Sequence, residues 1–529
     1  MPEISPHPAQ RPISAAASLL RRGKYFIPLA LFALPFCVYL LTLAPTITWG
    51  HGGIDGGDLI TAAYTLGIPH PTGYPTYVLL ARLFTFLPFG DIAFRVNLMS
   101  SFFAAGAVAL LYLSALSLLN GRPEGGGKSI VASASAALAF AFSPVFWSQA
   151  LIAEVYALNA FFAAWLIYLL LKLRGPGARP LRLAALFAFS FGLALGNHLS
   201  IILLAPAPPF LFWRAWRSHP HIRGRGGLLK GVAFRLLAFA LALGVYLYLP
   251  LRAAWWPPVN WGAPYTWPRF CWLVSGQLYR RYLFALPWPY LPGRLSAWAR
   301  LLGRQFVWWG LPLGLAGLWD LYRRGRDFFF ASLSFFLLIS AYAIGYDTTD
   351  SYIYLIPAFL TFALWVSRGL GIVLSALSTL SRPAVRKALL AVVLFLPLLP
   401  LFFNFSALDL SADRAARKYG LEALEVAAPE AVILASADAH TFTLWYFCYV
   451  EGRRTDVAVL NACLLQHGWY VENLRHLHPT LELPSDEAIS LADFISANLS
   501  RRPLYLTDPA LPAAPGYTLE QAGPLYRVR

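Results

Sequence analysis

Stretches of about 20 mostly apolar residues, the length needed to cross a bilayer as a helix, recur through the first 400 positions of this chain. No water-filled fold of ordinary design tolerates that pattern. Only 13% of the residues are charged and 58% are hydrophobic, which agrees with a polytopic membrane protein. The apolar runs predict helices near 25–48, 93–119, 129–143, 151–172, 181–196, 199–215, 231–250, 303–321, 328–345, 353–378 and 387–403. The first run follows Arg21, Arg22 and Lys24 and is too long for a cleavable signal core, so it reads as a signal anchor behind a cytoplasmic tail, residues 1–24.

Charge sets the expected orientation. Arg122 and Lys128, then Lys172, Arg174 and Arg179, then Arg214, Arg217, Arg223, Arg225 and Lys230 fall in alternate connections. Arg323, Arg324 and Arg326, then Arg382, Arg386 and Lys387, continue the series. Lysine and arginine concentrate in cytoplasmic loops, so an inner (plasma) membrane protein with a cytoplasmic start and an external C-terminal part is expected. The net charge of +17 is explained by topology and gives no reason to invoke nucleic acid.

The acids of the membrane half are distributed differently. Asp55, Asp58, Asp91, Glu154, Asp347 and Asp350 all fall on or near the predicted external side. Ionisable groups beside a membrane are expensive and mark function by default. A carrier keeps its polar site near mid-bilayer between repeated halves, and neither feature is present in the sequence. The first external loop, 49–92, holds the densest group, His51-Gly52-Gly53-Ile54-Asp55-Gly56-Gly57-Asp58, followed by His70-Pro71-Thr72-Gly73-Tyr74-Pro75. The glycines let the backbone approach a ligand closely around Asp55. Asp58 opens an apolar-periodic stretch and is also suited to cap that helix.

Three further connections carry polar groups to the same face. Ser143 to Asn159 contributes Trp147, Glu154 and Tyr156; Gly196-Asn197-His198 and Tyr346-Asp347-Thr348-Thr349-Asp350 contribute the rest. The external loop 251–302 contains no acid and alternates tryptophan and tyrosine with arginine, including Arg252, Asn260, Trp261, Arg269 and Arg280. Part of this is an interfacial aromatic belt with snorkelling arginines. It also suits a phosphate-bearing lipid, because guanidinium matches phosphate geometry.

From about Asn404 the chain reads as a small soluble α/β unit, 404–529. Buried strands are predicted at 431–436, 457–461 and 503–507, with a short helix over 441–450. Asp438 and His440 follow the first strand, where open α/β sheets bind ligands, though an ordinary loop fits equally. The four cysteines show no metal spacing, and Cys448 and Cys463 are free to pair outside the cytoplasm. No cofactor is expected with certainty, and no spacing indicates a divalent metal.

Taken together, the stretch from Asp55 through Tyr74, Trp147-Ser148-Gln149-Ala150 with Ala153-Glu154-Val155-Tyr156, and Gly196-Asn197-His198 resemble a membrane family once grouped as a domain of unknown function. Tyr248 to Arg252, Pro258 to Gly262, Tyr346-Asp347 with Asp350-Ser351-Tyr352, and Leu444-Trp445-Tyr446 with Val450 to Arg453 extend the resemblance over most of the chain. The family's animal member is an ER protein O-mannosyltransferase with a GT-C glycosyltransferase fold. Asp58 stands where the family is expected to carry glutamate, which keeps the charge and shortens the reach by one methylene.

The resemblance implies a mainly α, GT-C-like polytopic fold of about eleven transmembrane helices (25–403) with the C-terminal α/β unit beyond it. It also implies an inverting transfer of mannose or a similar hexose from a polyprenyl-phosphate donor to an acceptor hydroxyl, on protein Ser/Thr or on a lipid or surface glycan. Asp55 is the expected general base and Asp58 its partner in catalysis. His70, Tyr74, Glu154, Tyr156, Asn197, His198, Asn260, Trp261, Asp347 and Asp350 are expected to bind substrate, and Arg252 and Arg269 the lipid phosphate. A transporter or flippase of lipid-linked sugars is the alternative from another functional class.

Overall fold

The computed structural model describes residues 15–119, 126–173, 180–209, 225–485, 487–511 and 516–529. Arg122, Arg174, Arg179, Arg214, Arg217 and Arg223, and the end of the helix expected over 199–215, lie outside them. Six helices among the described residues are long and apolar enough to cross a membrane: Ile92–Leu119, Val155–Lys172, Gly231–Ala253, Arg326–Gly345, Ser351–Ser378 and Pro383–Leu408. Four shorter apolar helices accompany them, Phe26–Thr42, Gly127–Ala141, Leu181–Leu195 and Leu199–Pro209. The sequence suggests eleven spans. The difference lies partly in segments below spanning length and partly in the run expected over 303–321. That run is broken: one helix ends at Gln305, Val307 and Trp308 take left-handed φ of 51° and 62°, and a second helix covers Gly310–Arg324.

Close helix contact in the bundle depends on small residues, as lipid-exposed proteins require. A Cβ on Gly317 would stand 1.8 Å from the Trp365 carbonyl oxygen, so Gly310–Arg324 lies flush against Ile356–Ser378. The helix after the Ser143-Pro144 step is a single turn and a half, Pro144–Gln149. Trp147 there is fully buried, donates to Thr42 Oγ1 at 3.1 Å and packs on Phe142 and Phe405. It is a core residue, which corrects the expectation that it joins Glu154 and Tyr156 on the polar face.

The C-terminal part is a five-stranded sheet, β1 Val432–Ala435, β2 Ala458–Asn461, β3 Leu504–Leu506, β4 Leu519–Ala522 and β5 Leu525–Val528, in the order β2-β1-β3-β5-β4. β1 pairs in parallel with β2 and β3, and β5 pairs antiparallel with β3 and β4. β1, β2 and β3 are the three strands legible as continuous apolar runs. β4 and β5 form a hairpin turned at Gly523, φ 58°, whose half-exposed strands carry no such run. Cys448 and Cys463 are both free thiols, one buried and one exposed, so the optional pairing is not made.

This domain is seated on the first loop of the membrane part. The helix Asp438–Tyr449 packs on Gly56–Thr65 so tightly that a Cβ on Gly57 would stand 2.5 Å from the Phe442 carbonyl oxygen. Trp49 Nε1 donates to Ala439 O and Thr443 Oγ1 at 3.2 and 3.0 Å. Asp91 accepts from Thr46 and from its own helix start at Phe94, and pairs with Arg417 at 3.5 Å.

Candidate active site

The first loop is shaped by a tight left-handed passage at His51 and Gly52, φ 57° and 81°, which delivers Asp55 to the start of the helix Gly56–Thr65. Asp58 is in that helix's first turn and does not cap it. Its carboxylate is fully buried and turned sideways to three donors. His70 N–H and Nδ1 bond to Oδ2 at 2.9 and 2.8 Å, and Trp261 Nε1 donates to Oδ1 at 3.1 Å. Such donors satisfy a charge that burial alone would penalise. The far face of the same ring, His70 Nε2, lies 3.8 Å from Asp55 Oδ2. Asp55, unlike its neighbour, has a side chain 44% exposed, so it is open to a reactant.

The loop 251–302 is zipped onto this segment by backbone hydrogen bonds. Ile68 N–H donates to Val259 O at 2.7 Å and Trp261 N–H to Ile68 O at 3.0 Å. Tyr248 Oη donates to Gly67 O at 2.7 Å, and Arg252 holds Leu66 O and Thr65 O at 2.7 and 3.2 Å. Leu66, φ 52°, ends its helix in a left-handed turn, and Arg252 satisfies carbonyls that the turn leaves over. Asn260 is buried, with its amide on Ala253 O and Asn473 Oδ1.

Several of the remaining expected groups converge from the other connections, while Asp347 and Arg269 are held by partners of their own. Tyr74 lies against His70, ring centroids 5.1 Å apart, and stacks on His198 at 6.5 Å and 8°. His198 meets Tyr156 and Tyr354 at 5.7 and 5.8 Å, and bonds Ser200 Oγ through Nδ1 at 2.8 Å. Asn197 is buried with its amide on Val155 O at 3.1 Å. Glu154 ends the preceding loop and caps Val155–Lys172 through the Val155 N–H at 3.3 Å. Asp347 pairs with Arg294 at 3.8 Å, and Arg294 also donates to Ser351 Oγ and Thr348 O at 3.0 Å. Arg269 is committed to the C-terminal domain, bonding Glu472 at 2.6 Å and Tyr265 Oη at 2.9 Å.

The electrostatics join these loops into one field. Burial pushes the Asp55 pKa up from the usual carboxylate range; the His70 charge opposes this, and the Asp58 and Asp350 carboxylates add to it. Burial raises Glu154 as well, with Asp55 contributing in the same direction. Burial disfavours charge on His70, yet Asp55 and Asp58 outweigh it and hold its pKa up at about 9. Burial drives His198 down to about 4, which keeps it neutral. A poised carboxylate beside a fixed imidazolium is an arrangement suited to proton transfer. Among the described residues no group of three His, Cys, Asp or Glu side chains is arranged to hold a metal ion.

Tyr279 and Tyr354 are functional candidates that the sequence alone does not single out, and Asp438, which the sequence places either at a ligand-binding strand end or in an ordinary loop, joins them. Tyr279 stands 6.4 Å from His70, ring to ring. Asp438 belongs to the C-terminal domain. Although exposed on the rim, it is partly desolvated by the surrounding loops, which pushes its pKa up to about 6, with the Asp55 charge adding to the rise.

Comparison with known proteins agrees with this assembly. Residues 55–220 match the protein O-mannosyl-transferase TMEM260 N-terminal domain, and residues 416–483 match TMEM260-associated domain 2. The chain resembles the TMEM260 proteins over these segments. It is 28% identical to protein O-mannosyl-transferase TMEM260 of Mus musculus, over 89% of this chain and 68% of that protein. To protein O-mannosyl-transferase tmem260 of Dictyostelium discoideum it is 24% identical, over 92% of this chain and 64% of that protein. The chain therefore spans about two thirds of the length of these TMEM260 proteins. In fold it is similar to ArnT from Cupriavidus metallidurans, a GT-C glycosyltransferase, in the apo state and bound to undecaprenyl phosphate. The TM-scores are 0.59 and 0.58, each at 13% identity over 96% of this chain and 98% and 97% of those chains. Both TMEM260 matches include elements of the cleft: the first holds Asp55, Asp58, His70 and Glu154, and the second holds Asp438.

Proposed function

We propose that this protein is an inverting membrane glycosyltransferase that moves mannose, or a similar hexose, from a polyprenyl-phosphate donor to an acceptor hydroxyl on the external face of the membrane. The observation that carries the reading is the triad itself: an open Asp55 carboxylate, 3.8 Å from a His70 ring that a buried Asp58 holds in place. Asp55 takes the proton as the acceptor oxygen attacks the anomeric carbon. The bond from that carbon to the phosphate oxygen breaks on the opposite side, and the lipid phosphate leaves with the bonding pair. Positioned proton transfer of this kind typically contributes about 10²–10⁴-fold.

The donor side is assigned to the loop 251–302. Trp255, Trp267 and Trp288 are among its most exposed side chains, as expected of residues that sit at a lipid headgroup layer. Arg252 lies against Trp255, 5.4 Å from guanidinium carbon to ring centroid. Its Nη1 has no hydrogen bond among the described contacts and is assigned to the phosphate. The aromatic wall of Tyr74, Tyr156, Tyr279 and Tyr354 suits the sugar. A hydroxyl on protein Ser/Thr is favoured as acceptor because the matched relatives are named protein O-mannosyl-transferases. Carriage of lipid-linked sugar is disfavoured because Glu154, Asn197, His198, Asp347 and Asp350 all lie between the apolar helices and none lies within a spanning segment.

The test uses membranes containing the wild type or Asp55→Asn, supplied with labelled mannosyl undecaprenyl phosphate. Transfer to protein is expected from the wild type alone, with undecaprenyl phosphate binding equal in both. Full transfer by Asp55→Asn, or translocation without transfer in vesicles, overturns the reading.

A further inference from the structure

The strand order of the C-terminal sheet has its switch point between β1 and β3. The chain leaves β1 for β2 on one side and returns to β3 on the other. Open α/β sheets bind ligands in the crevice outside the carboxyl ends of such a strand pair. Here that crevice lies between the segments Ser436–Asp438 and Thr507–Asp508. It opens beside the first loop, because Asp438 begins the helix that is seated flush on Gly57 and accepts the Trp49 indole at Ala439.

Two polar atoms at this edge lack a partner among the described residues. Thr507 is 6% exposed and donates its backbone N–H to Leu434 O at 3.1 Å, yet its Oγ1 is unbonded. His440 Nδ1 is likewise unbonded, while its ring stacks on Tyr419 at 4.4 Å and meets Trp49 at 5.9 Å. Buried polar atoms are rarely left unpaired in a finished structure, and a hydroxyl-bearing, amide-bearing guest would satisfy both. Asp438, exposed on the rim, has one contact, Asn461 Nδ2 at 3.5 Å.

Charge narrows the guest further. The charged groups acting on Asp438 are Asp55, Asp58 and His70, and Asp508 acts on His440 from the other side of the crevice. Acids therefore outnumber the single imidazolium across the path from the crevice to Asp55. Within a screening length of about 8 Å at physiological salt, such a field attracts cations and repels anions.

We infer that the β1–β3 crevice is the acceptor side of the cleft, binding an extended polypeptide, and that Asp438 selects segments whose hydroxyl residue is flanked by basic rather than acidic side chains. This rests on the proposed transferase reading for its use, while the binding itself can be measured without turnover.

The experiment compares two blocked nonapeptides, identical except that a central threonine is flanked by lysines in one and aspartates in the other. Binding to the full-length protein in nanodiscs and transfer from mannosyl undecaprenyl phosphate are both read. The wild type is expected to bind the lysine peptide about tenfold more tightly, a preference that shrinks as salt is raised. Asp438→Asn should bring the ratio to about threefold or less with undecaprenyl phosphate affinity unchanged, and Asp438→Glu should keep the preference. Equal binding of the two peptides, binding of neither, or an unaltered ratio in a folded Asp438→Asn overturns the inference. If Asp438→Asn fails to fold, the wild-type ratio and its salt dependence decide alone. Selective binding without any transfer would sustain the crevice and reject the transferase reading.

Discussion

One oxygen of the buried Asp58 carboxylate, Oδ2, accepts from both the backbone N–H and the ring Nδ1–H of His70, at 2.9 and 2.8 Å. A side chain so engaged sets the orientation and charge of its neighbour and does not itself take up a substrate proton. Asp58 is therefore placed to position His70, and in the proposed reaction Asp55 alone is left to act on the acceptor.

Asp58→Asn keeps the size of the side chain but removes the charge that stabilises imidazolium. The expected result is a fall in transfer of at least about tenfold, accompanied by a fall in the His70 pKa from about 9. NMR titration of a ring-labelled His70 checks the second effect. An unchanged pKa would detach Asp58 from this role.

His70 also makes stability depend on pH. Its folded pKa lies above the ordinary histidine value of 6.5. Its contribution is thus complete below about pH 6.5 and is lost as pH rises through about 9. The size is bounded at about 3 kcal/mol. Thermal melts in detergent between pH 6 and 10 should show a decline in the wild type that His70→Gln flattens.

Gly57→Ala would place a methyl against the Phe442 carbonyl, 2.5 Å away. Neither backbone can yield without parting the two domains. A loss of about 1–3 kcal/mol is expected, as for other overpacked contacts, with faster proteolysis between residues 404 and 430. Transfer should fall with it.

Arg252→Ala removes the clamp on Leu66 O and Thr65 O together with the proposed phosphate contact. Undecaprenyl phosphate affinity should drop about tenfold, the scale of one charge-assisted bond. Arg269→Ala, whose native partner is Glu472, should leave that affinity unchanged and loosen only the domain contact. Titration of both variants separates the two arginines.

The strongest signals in the sequence were local ones. Asp55, His70 and Tyr74 share one loop, and the apolar runs around 92–119 and 356–378 are long and carry only one charged residue each, so candidate site and bundle were both legible there. The break at Val307–Trp308 was not, because Phe306 to Trp319 runs on without a charged or amide side chain across the left-handed turn. Arg269 reads as a phosphate ligand because composition counts charges without showing that Glu472 and Tyr265 already hold it, whereas Arg252 is only partly engaged by carbonyls and keeps one nitrogen for the proposed phosphate contact. Tyr279 gains its place only from tertiary contact, through the zipper between Ile68 and Val259, and Asp438, legible only as a strand-end residue, is brought beside Asp55 by a helix delivered by the C-terminal sheet.

That delivery has a consequence for how the enzyme is made. A ribosome must release about the final quarter of the chain, residues 404–529, before the sheet whose helix carries Phe442 onto Gly57 is complete. Until then Gly57 and Trp49 lack the helix that covers them. On the proposed reaction, nascent copies traversing the membrane would stay silent until that assembly is complete.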